Sequence, residues 1–362
     1  MTLEDAIHHL QLQGLNIIYS SDVMNPQMVL KSDPKATTPR AILDEILAMF
    51  YLKVQSGPRK TLLIVHGHPP DPPKKKADTS SELKPPKEFL VIPYVSIDVS
   101  ARSHNHFITT LKPEDFIIRE NGQELRIDQF YGPNGSGVTD IPLTILFLMD
   151  SSQSMTPDTE ELAASGFVKQ SALRLGEELR QGDQAMVMEF NEKSWIASQM
   201  TTRLDVIHQT IMDYKVGPGW TGLLDAVQSA VKNLETFSGR KIIILCSDGK
   251  DNASKTKLEN VLLSVQASDV TILAVGPKFR GYLAQRGREV LEKIAEESGG
   301  YAFFPENNQD IEAMLEEAKK AMRSQYAIGY APPNPFRRGW RKVEIECRIE
   351  GVRLRYRKSY LF

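Results

Sequence analysis

In LTILFLMDSSQSM, residues 143–155, an unbroken apolar run meets an aspartate and then places hydroxyls at alternate positions. A strand that is apolar on both faces belongs inside a parallel sheet covered on both sides. Three later runs share this texture: AMVMEF (185–190), KIIILCS (241–247) and VTILAVG (270–276). Between them lie stretches with helical periodicity, TEELAASGFVKQSALRLGEEL (159–179), LLDAVQSAVKNLETF (223–237) and REVLEKIAEESG (288–299). Strands alternating with amphipathic helices define a doubly wound, Rossmann-like α/β domain over 142–323, and such sheets bind ligands beyond the carboxyl ends of their strands.

The segments on either side have a different texture. FLVIPYVSIDVSA (89–101) alternates apolar and polar residues, and LKPEDFIIRENGQELRIDQFY (111–131) sets Asn121-Gly122 between two strand-like runs, a strong hairpin signal. The C-terminal stretch repeats the pattern in SQYAIGYAPP (324–333), RKVEIECRIE (341–350) and VRLRYRKSYLF (352–362). Residues 89–141 and 324–362 are therefore expected to meet as the two parts of one β-sandwich from which the α/β domain is inserted. Residues 1–66 read as a small α+β unit. Thr2 with Asp5 caps a helix to about Leu12, GLNIIYS is a strand, and Thr38-Pro39 opens a second helix before YLKVQS and TLLIV. The proline- and lysine-rich residues 67–88 read as a solvated linker.

A chain of 362 residues predicts two or three domains. With 44 Lys and Arg against 46 Asp and Glu, no overall field favours nucleic acid or an acidic membrane. No apolar run is long enough to span a bilayer, and Met1 leads into a polar helix rather than a signal segment, so the chain reads as soluble or as a mature form. Cys246 and Cys347 lie in strand-like runs and are expected to be buried thiols. The histidine pairs His8-His9, His66 with His68, and His104 with His106 are expected at exposed turns.

The chemistry gathers at strand ends. Asp150 falls just past the first central strand with Ser152 and Ser154 after it, Asp248 closes KIIILCSDG, and Thr221 follows a glycine-containing loop at a helix start. Two carboxylates and three hydroxyls, with no nitrogen or sulfur, suit a hard cation. At these residues the chain resembles the von Willebrand factor A domain with its metal-ion-dependent adhesion site. In that family Asp-x-Ser-x-Ser, a distant Thr and a later Asp-Gly hold the ion. Here the resemblance implies metal ligation by Asp150, Ser152, Ser154, Thr221 and Asp248. The expected ion is Mg2+, with Mn2+ or Ca2+ as alternatives, and Cys246-Ser247 depart from the usual residues before the second aspartate. Asp225 is read as supporting its helix or standing behind the ligands without binding the ion, and Trp220 as a possible ligand rim.

With its flanking strands, the chain from Phe89 onward is similar to von Willebrand factor A-related proteins of Acidobacteria, which are generally exported. Residues 1–66 resemble the short secretin and TonB-receptor N-terminal (STN) domain, a periplasmic interaction module. Together these imply a periplasmic or secreted, non-enzymatic adhesion or scaffold protein. A partner protein would offer an acidic side chain to the metal, and the N-terminal domain could contact an envelope component. Two other readings stand beside this one. The chain could be a structural or assembly subunit whose recognition lies in the N-terminal domain, or a phosphatase-like hydrolase. The hydrolase reading lacks the second acid its nucleophile would need, because that position is Ser152.

Overall fold

Alternation along the central strands explains why both faces had to be apolar. Ile145, Phe147 and Met149 pack with Ile242, Ile244 and Cys246 in one core, while Leu146 and Leu148 pack with Ile243 and Leu245 in a second core across the sheet. Successive side chains of a strand point to opposite faces, so one continuous apolar run serves two cores. The computed structural model describes residues 94–362 except 105, 134–140, 156–163, 278–281, 306–309 and 335–336. In the N-terminal unit it describes 3, 6, 7, 10, 15, 17, 18, 28, 30, 34, 36, 38–50, 52–56 and 62–66.

The chain divides into two compact units, Met1–Glu88 and Phe89–Phe362. In the first, Leu3, Ala6, Ile7 and Leu10 are helical and buried, a spacing that places all four on one helix face. β1 (Ile17–Ile18), β2 (Leu52–Ser56) and β3 (Leu62–His66) form a sheet of order β1-β3-β2. Helix α1 (Pro39–Ala48) starts as its sequence predicts, with Pro39 in the first turn and the Thr38 hydroxyl accepting from the Ala41 amide. The expected cap at Thr2 and Asp5, the pair His8-His9, and the 67–88 linker with His68 lie outside the described residues.

In the second unit, β4 (Val95–Ser103), β5 (His106–Phe107), β6 (Phe116–Glu120), β7 (Gln123–Leu125) and β8 (Gln129–Tyr131) precede the α/β layer. The layer runs β9 (Leu143–Asp150), α2 (Ala164–Gly176), β10 (Gln184–Phe190), β11 (Ser194–Thr201), α3 (Leu204–Asp213), α4 (Leu223–Leu234) and β12 (Arg240–Cys246). It continues through α5 (Leu258–Ala267), β13 (Val270–Val275), α6 (Tyr282–Glu297), β14 (Tyr301–Phe303) and α7 (Ile311–Arg323). β15 (Gln325–Tyr330), β16 (Trp340–Cys347), β17 (Arg353–Arg355) and β18 (Ser359–Leu361) follow.

Strands from both flanks share two antiparallel sheets. β15 lies between β4 and β8, and β16 pairs β6. Ile97, Tyr326 and Ile328 of one sheet meet Ile118, Val343 and Ile345 of the other in a common core. Asn121 and Gly122 turn the β6–β7 hairpin at φ 49 and 83, the left-handed conformations that a two-residue hairpin loop demands. Cys246 is buried, and burial pushes its thiol up to about 12, so it behaves as a small hydrophobe. Cys347, expected to be buried, shares the inward face of β16 with Val343 and Ile345 but is only partly covered, because it is the last residue of the strand. His104 and His106 are exposed at the β4–β5 turn, as expected.

The six-stranded sheet has the order β11-β10-β9-β12-β13-β14, all parallel except β11. From β9 the chain winds outward to β10 and β11, then crosses back to β12 on the other side of β9. The order therefore reverses between β9 and β12, which opens a crevice at their carboxyl ends.

Candidate metal centre

The register of the two central strands builds the site. Cys246 pairs with Met149, so the next residues, Ser247 and Asp150, stand side by side at the crevice. The Ser247 hydroxyl donates to Asp150 Oδ2 at 2.6 Å and accepts from the Gly249 amide at 3.1 Å. Past Asp150 the chain turns sharply. Ser151 commits its amide and its hydroxyl to the Phe190 carbonyl, at 2.7 and 3.0 Å, and its own carbonyl accepts from Gly217. That leaves Ser152 and Ser154 to face the crevice, separated by a short turn over Gln153–Met155 anchored by the fully buried Met155.

Asp150 Oδ1 accepts from the Ser152 amide at 3.0 Å and from the Ser152 hydroxyl at 2.6 Å. Three hydroxyl oxygens then close a triangle. Ser152 to Ser154 is 3.0 Å, Ser152 to Thr221 is 2.8 Å, and Ser154 to Thr221 is 3.3 Å. Thr221 precedes α4 and is held by the loop that follows Asp248. Its amide donates to Asn252 Oδ1 at 2.7 Å, and its carbonyl accepts from the Asn252 and Ala253 amides at 2.9 and 3.0 Å. The structure thus brings Asp150, Ser152, Ser154 and Thr221 into one hydrogen-bonded group, Asp150 joining it through Ser152. Asp248 is buried beside this group, with Oδ1 accepting from the Lys250 amide at 3.0 Å and Oδ2 2.9 Å from the Lys250 ammonium.

The donor set fits a small hard cation. Neighbouring ligands of an octahedral magnesium ion, each bound at about 2.0–2.1 Å, stand about 2.9 Å apart, close to the 2.8 and 3.0 Å edges of the hydroxyl triangle, whereas the Ser154–Thr221 edge of 3.3 Å reaches calcium spacing. A calcium ion at about 2.3–2.6 Å would spread its ligands to about 3.3–3.7 Å. Among the described residues no three His, Cys, Asp or Glu side chains cluster, so a cation here depends on the hydroxyls as well as the two carboxylates.

Electrostatics point the same way. Burial raises the Asp150 carboxyl to about 7, the neighbouring Asp248 charge adding to the rise and the Ser152 and Ser247 hydrogen bonds opposing it. A carboxylate so far from water needs either a proton or a cation. Magnesium binding should therefore weaken about tenfold for each pH unit below 7 and level off above it, with about one proton released per ion near pH 6. Calorimetry in two buffers of different ionisation enthalpy measures that proton directly.

Three residues around the site are not part of the Asp-x-Ser-x-Ser pattern. Ser247 holds Asp150, the Tyr214 hydroxyl donates to the Asp150 carbonyl, and Asn252 holds Thr221. A hydroxyl immediately after a strand that ends at a crevice is the signal that marks Ser247. Ser247→Ala should weaken magnesium binding by about 10-fold without abolishing it, since it removes the hydroxyl that orients Asp150, a candidate ligand. A magnesium titration of the variant checks this. Asp225 does not face the ion site: its two oxygens accept from the Lys255 and Thr256 amides, both at 2.9 Å, and tie the 254–256 loop to α4. Trp220, 65% exposed, stands next to Thr221, which is 1% exposed.

Residues 144–317 match the von Willebrand factor type A domain, and the chain carries that domain over this span. No curated protein matches the chain. Solved structures similar to it include the conserved hypothetical protein BatB from Bacteroides thetaiotaomicron, 15% identical with a TM-score of 0.41, the match covering 50% of this chain and 100% of that one. Another is proximal thread matrix protein 1 from the mussel byssus, with zinc in its MIDAS motif. It is 22% identical with a TM-score of 0.42, covering 51% of this chain and 48% of that one. A von Willebrand factor type A protein from Catenulispora acidiphila is 12% identical with a TM-score of 0.44, covering 75% and 74%.

Proposed function

We propose that Asp150, Ser152, Ser154, Thr221 and Asp248 hold a magnesium or manganese ion, and that an acidic side chain of a protein partner completes its coordination. The hydroxyl triangle beside Asp150 at the sheet's switch point carries this reading. The three hydroxyls and Asp150 bind the ion directly, and Asp248 acts directly or through water. The bound ion supplies a fixed positive charge in a partly dry crevice, where attraction for a carboxylate is strong. Trp220 forms an exposed rim beside that charge and lends an incoming side chain apolar contact.

On this reading the chain is a non-enzymatic adhesion or scaffold module. A hydrolase that used Asp150 as nucleophile would need a general acid two residues on. That position is Ser152, whose hydroxyl is already bonded to Asp150. The sandwich built from residues 89–141 and 324–362 serves as the mount of the inserted α/β domain, in keeping with strand pairing between the two flanks. The N-terminal unit is read as an STN-like module that meets an envelope component, and the chain as periplasmic or secreted. No helix among the described residues is long and apolar enough to cross a membrane.

The test is a calorimetric titration of magnesium, then manganese, into the wild-type chain and into Asp248→Ala. Saturable binding by the wild type, lost in the variant, is the expected result. Partner capture on the immobilised chain should then require the ion and disappear with chelator. Capture that survives chelation would move recognition to the N-terminal unit and favour an assembly subunit.

A further inference from the structure

At the amino-terminal ends of β12 and β13, a strand's length of about 20 Å from the hydroxyl triangle, a cleft of about 690 Å³ opens between the α/β layer and the sandwich. Its walls carry three cations. Arg240 donates from Nε to Asp98 at 3.2 Å, and Lys241 pairs with Asp269 at 3.0 Å. Arg357 is different: its η nitrogens donate to the Ser268 and Ser96 carbonyls, and among the described residues no carboxylate lies within ion-pair distance of it. Burial pulls its guanidinium below the ordinary arginine range, while the charges of Asp269 and Asp98, which also line the cleft, oppose the fall from beyond ion-pair distance. The η nitrogens of Arg240 also have no acceptor among the described residues. Glu235 lines the cleft from an exposed position. The rest of the lining includes apolar groups, among them Val231, Tyr360 and Phe362.

We propose that this cleft binds a small amphipathic organic anion, its carboxylate or sulfonate taken by Arg357 and Arg240 and its hydrocarbon body lying against Val231, Tyr360 and Phe362. An anion here gives Arg357 a directly hydrogen-bonded counterion, where Asp269 and Asp98 act on it only from farther away, and charge-assisted hydrogen bonds are the stronger kind. The walls come from both layers, so the bound anion also ties the sandwich to the α/β domain.

The probe is 8-anilinonaphthalene-1-sulfonate, an aromatic anion that fluoresces when it leaves water, titrated into the full chain. One saturable site is expected. The neutral analogue N-phenyl-1-naphthylamine should bind at least about tenfold more weakly, and decanoate should displace the dye at least about tenfold more effectively than inorganic phosphate. Ser264→Trp, which fills the cleft from the surface of α5, should weaken dye binding at least about tenfold, as should Arg357→Gln. Ser264→Trp should leave the magnesium titration unchanged, so its fold has an independent readout should Arg357→Gln fail to fold. Unaltered dye binding in Ser264→Trp would overturn the site. Equal affinity for the neutral analogue would overturn the anion, and displacement by phosphate as effective as by decanoate would overturn its apolar body.

Discussion

Asp150→Asn should eliminate saturable magnesium binding and, in the same protein, stabilise the metal-free fold. The two effects share one cause. The Asp150 carboxyl is fully buried and its pKa lies near 7, against an ordinary value of 3.8. Between those two values the native state holds a proton that the unfolded chain has released, so the stability of the metal-free protein falls as pH rises from about 4 to about 7. Above 7 the whole penalty is present, on the order of 4 kcal/mol for a shift of this size. Asparagine keeps the shape and can still accept from the Ser152 hydroxyl, but it carries no charge to desolvate. Its stability advantage over the metal-free wild type should therefore grow between pH 5 and pH 7 and then level off. Urea unfolding with chelator present, at several pH values, measures it. Magnesium should reverse the order by stabilising the wild type alone. A variant less stable than the metal-free wild type at pH 8 would mean that Asp150 serves the fold rather than an ion.

Gly249→Ala should be among the most damaging single substitutions in the chain, at about 3–5 kcal/mol. Gly249 has a φ of 78, which an L-residue with a side chain resists. A Cβ built there would lie 2.1 Å from the Gly287 carbonyl oxygen on α6, and one built on Gly287 would lie 2.3 Å from the Asp248 carbonyl oxygen. The two glycines let α6 pack directly on the Asp248 turn, and neither backbone can retreat without moving the carboxylate. Thermal unfolding should show the loss, and any folded remainder should bind magnesium more weakly because Asp248 has been displaced. Alanine tolerated at Gly249 with the wild-type melting temperature would show that this turn is looser than its contacts imply.

The hydrophobic pattern made much of this architecture legible. Short apolar runs at 145–149 and 242–246 read as strands covered on both sides, and Asn121-Gly122 as a left-handed hairpin turn, and the structure has both. Four of the five candidate ligands, all but Thr221, could be placed from the sequence for a related reason. Asp150 ends one buried strand, Asp248 falls two residues past another, and Ser152 and Ser154 follow Asp150 within four residues, so local order along the chain already places them at the carboxyl ends of strands.

What the sequence could not determine was which groups stand behind them. Ser247 reaches Asp150 because the β9–β12 register sets them abreast, and Asn252 holds Thr221 because the loop after Asp248 folds back over the start of α4. The Gly249–Gly287 contact and the cleft around Arg357 likewise join segments far apart in sequence. Periodicity and motif spacing report which face of its own element a residue occupies, because that geometry repeats every few residues. Contacts between elements depend on strand register and loop closure, which are settled only when the whole sheet packs.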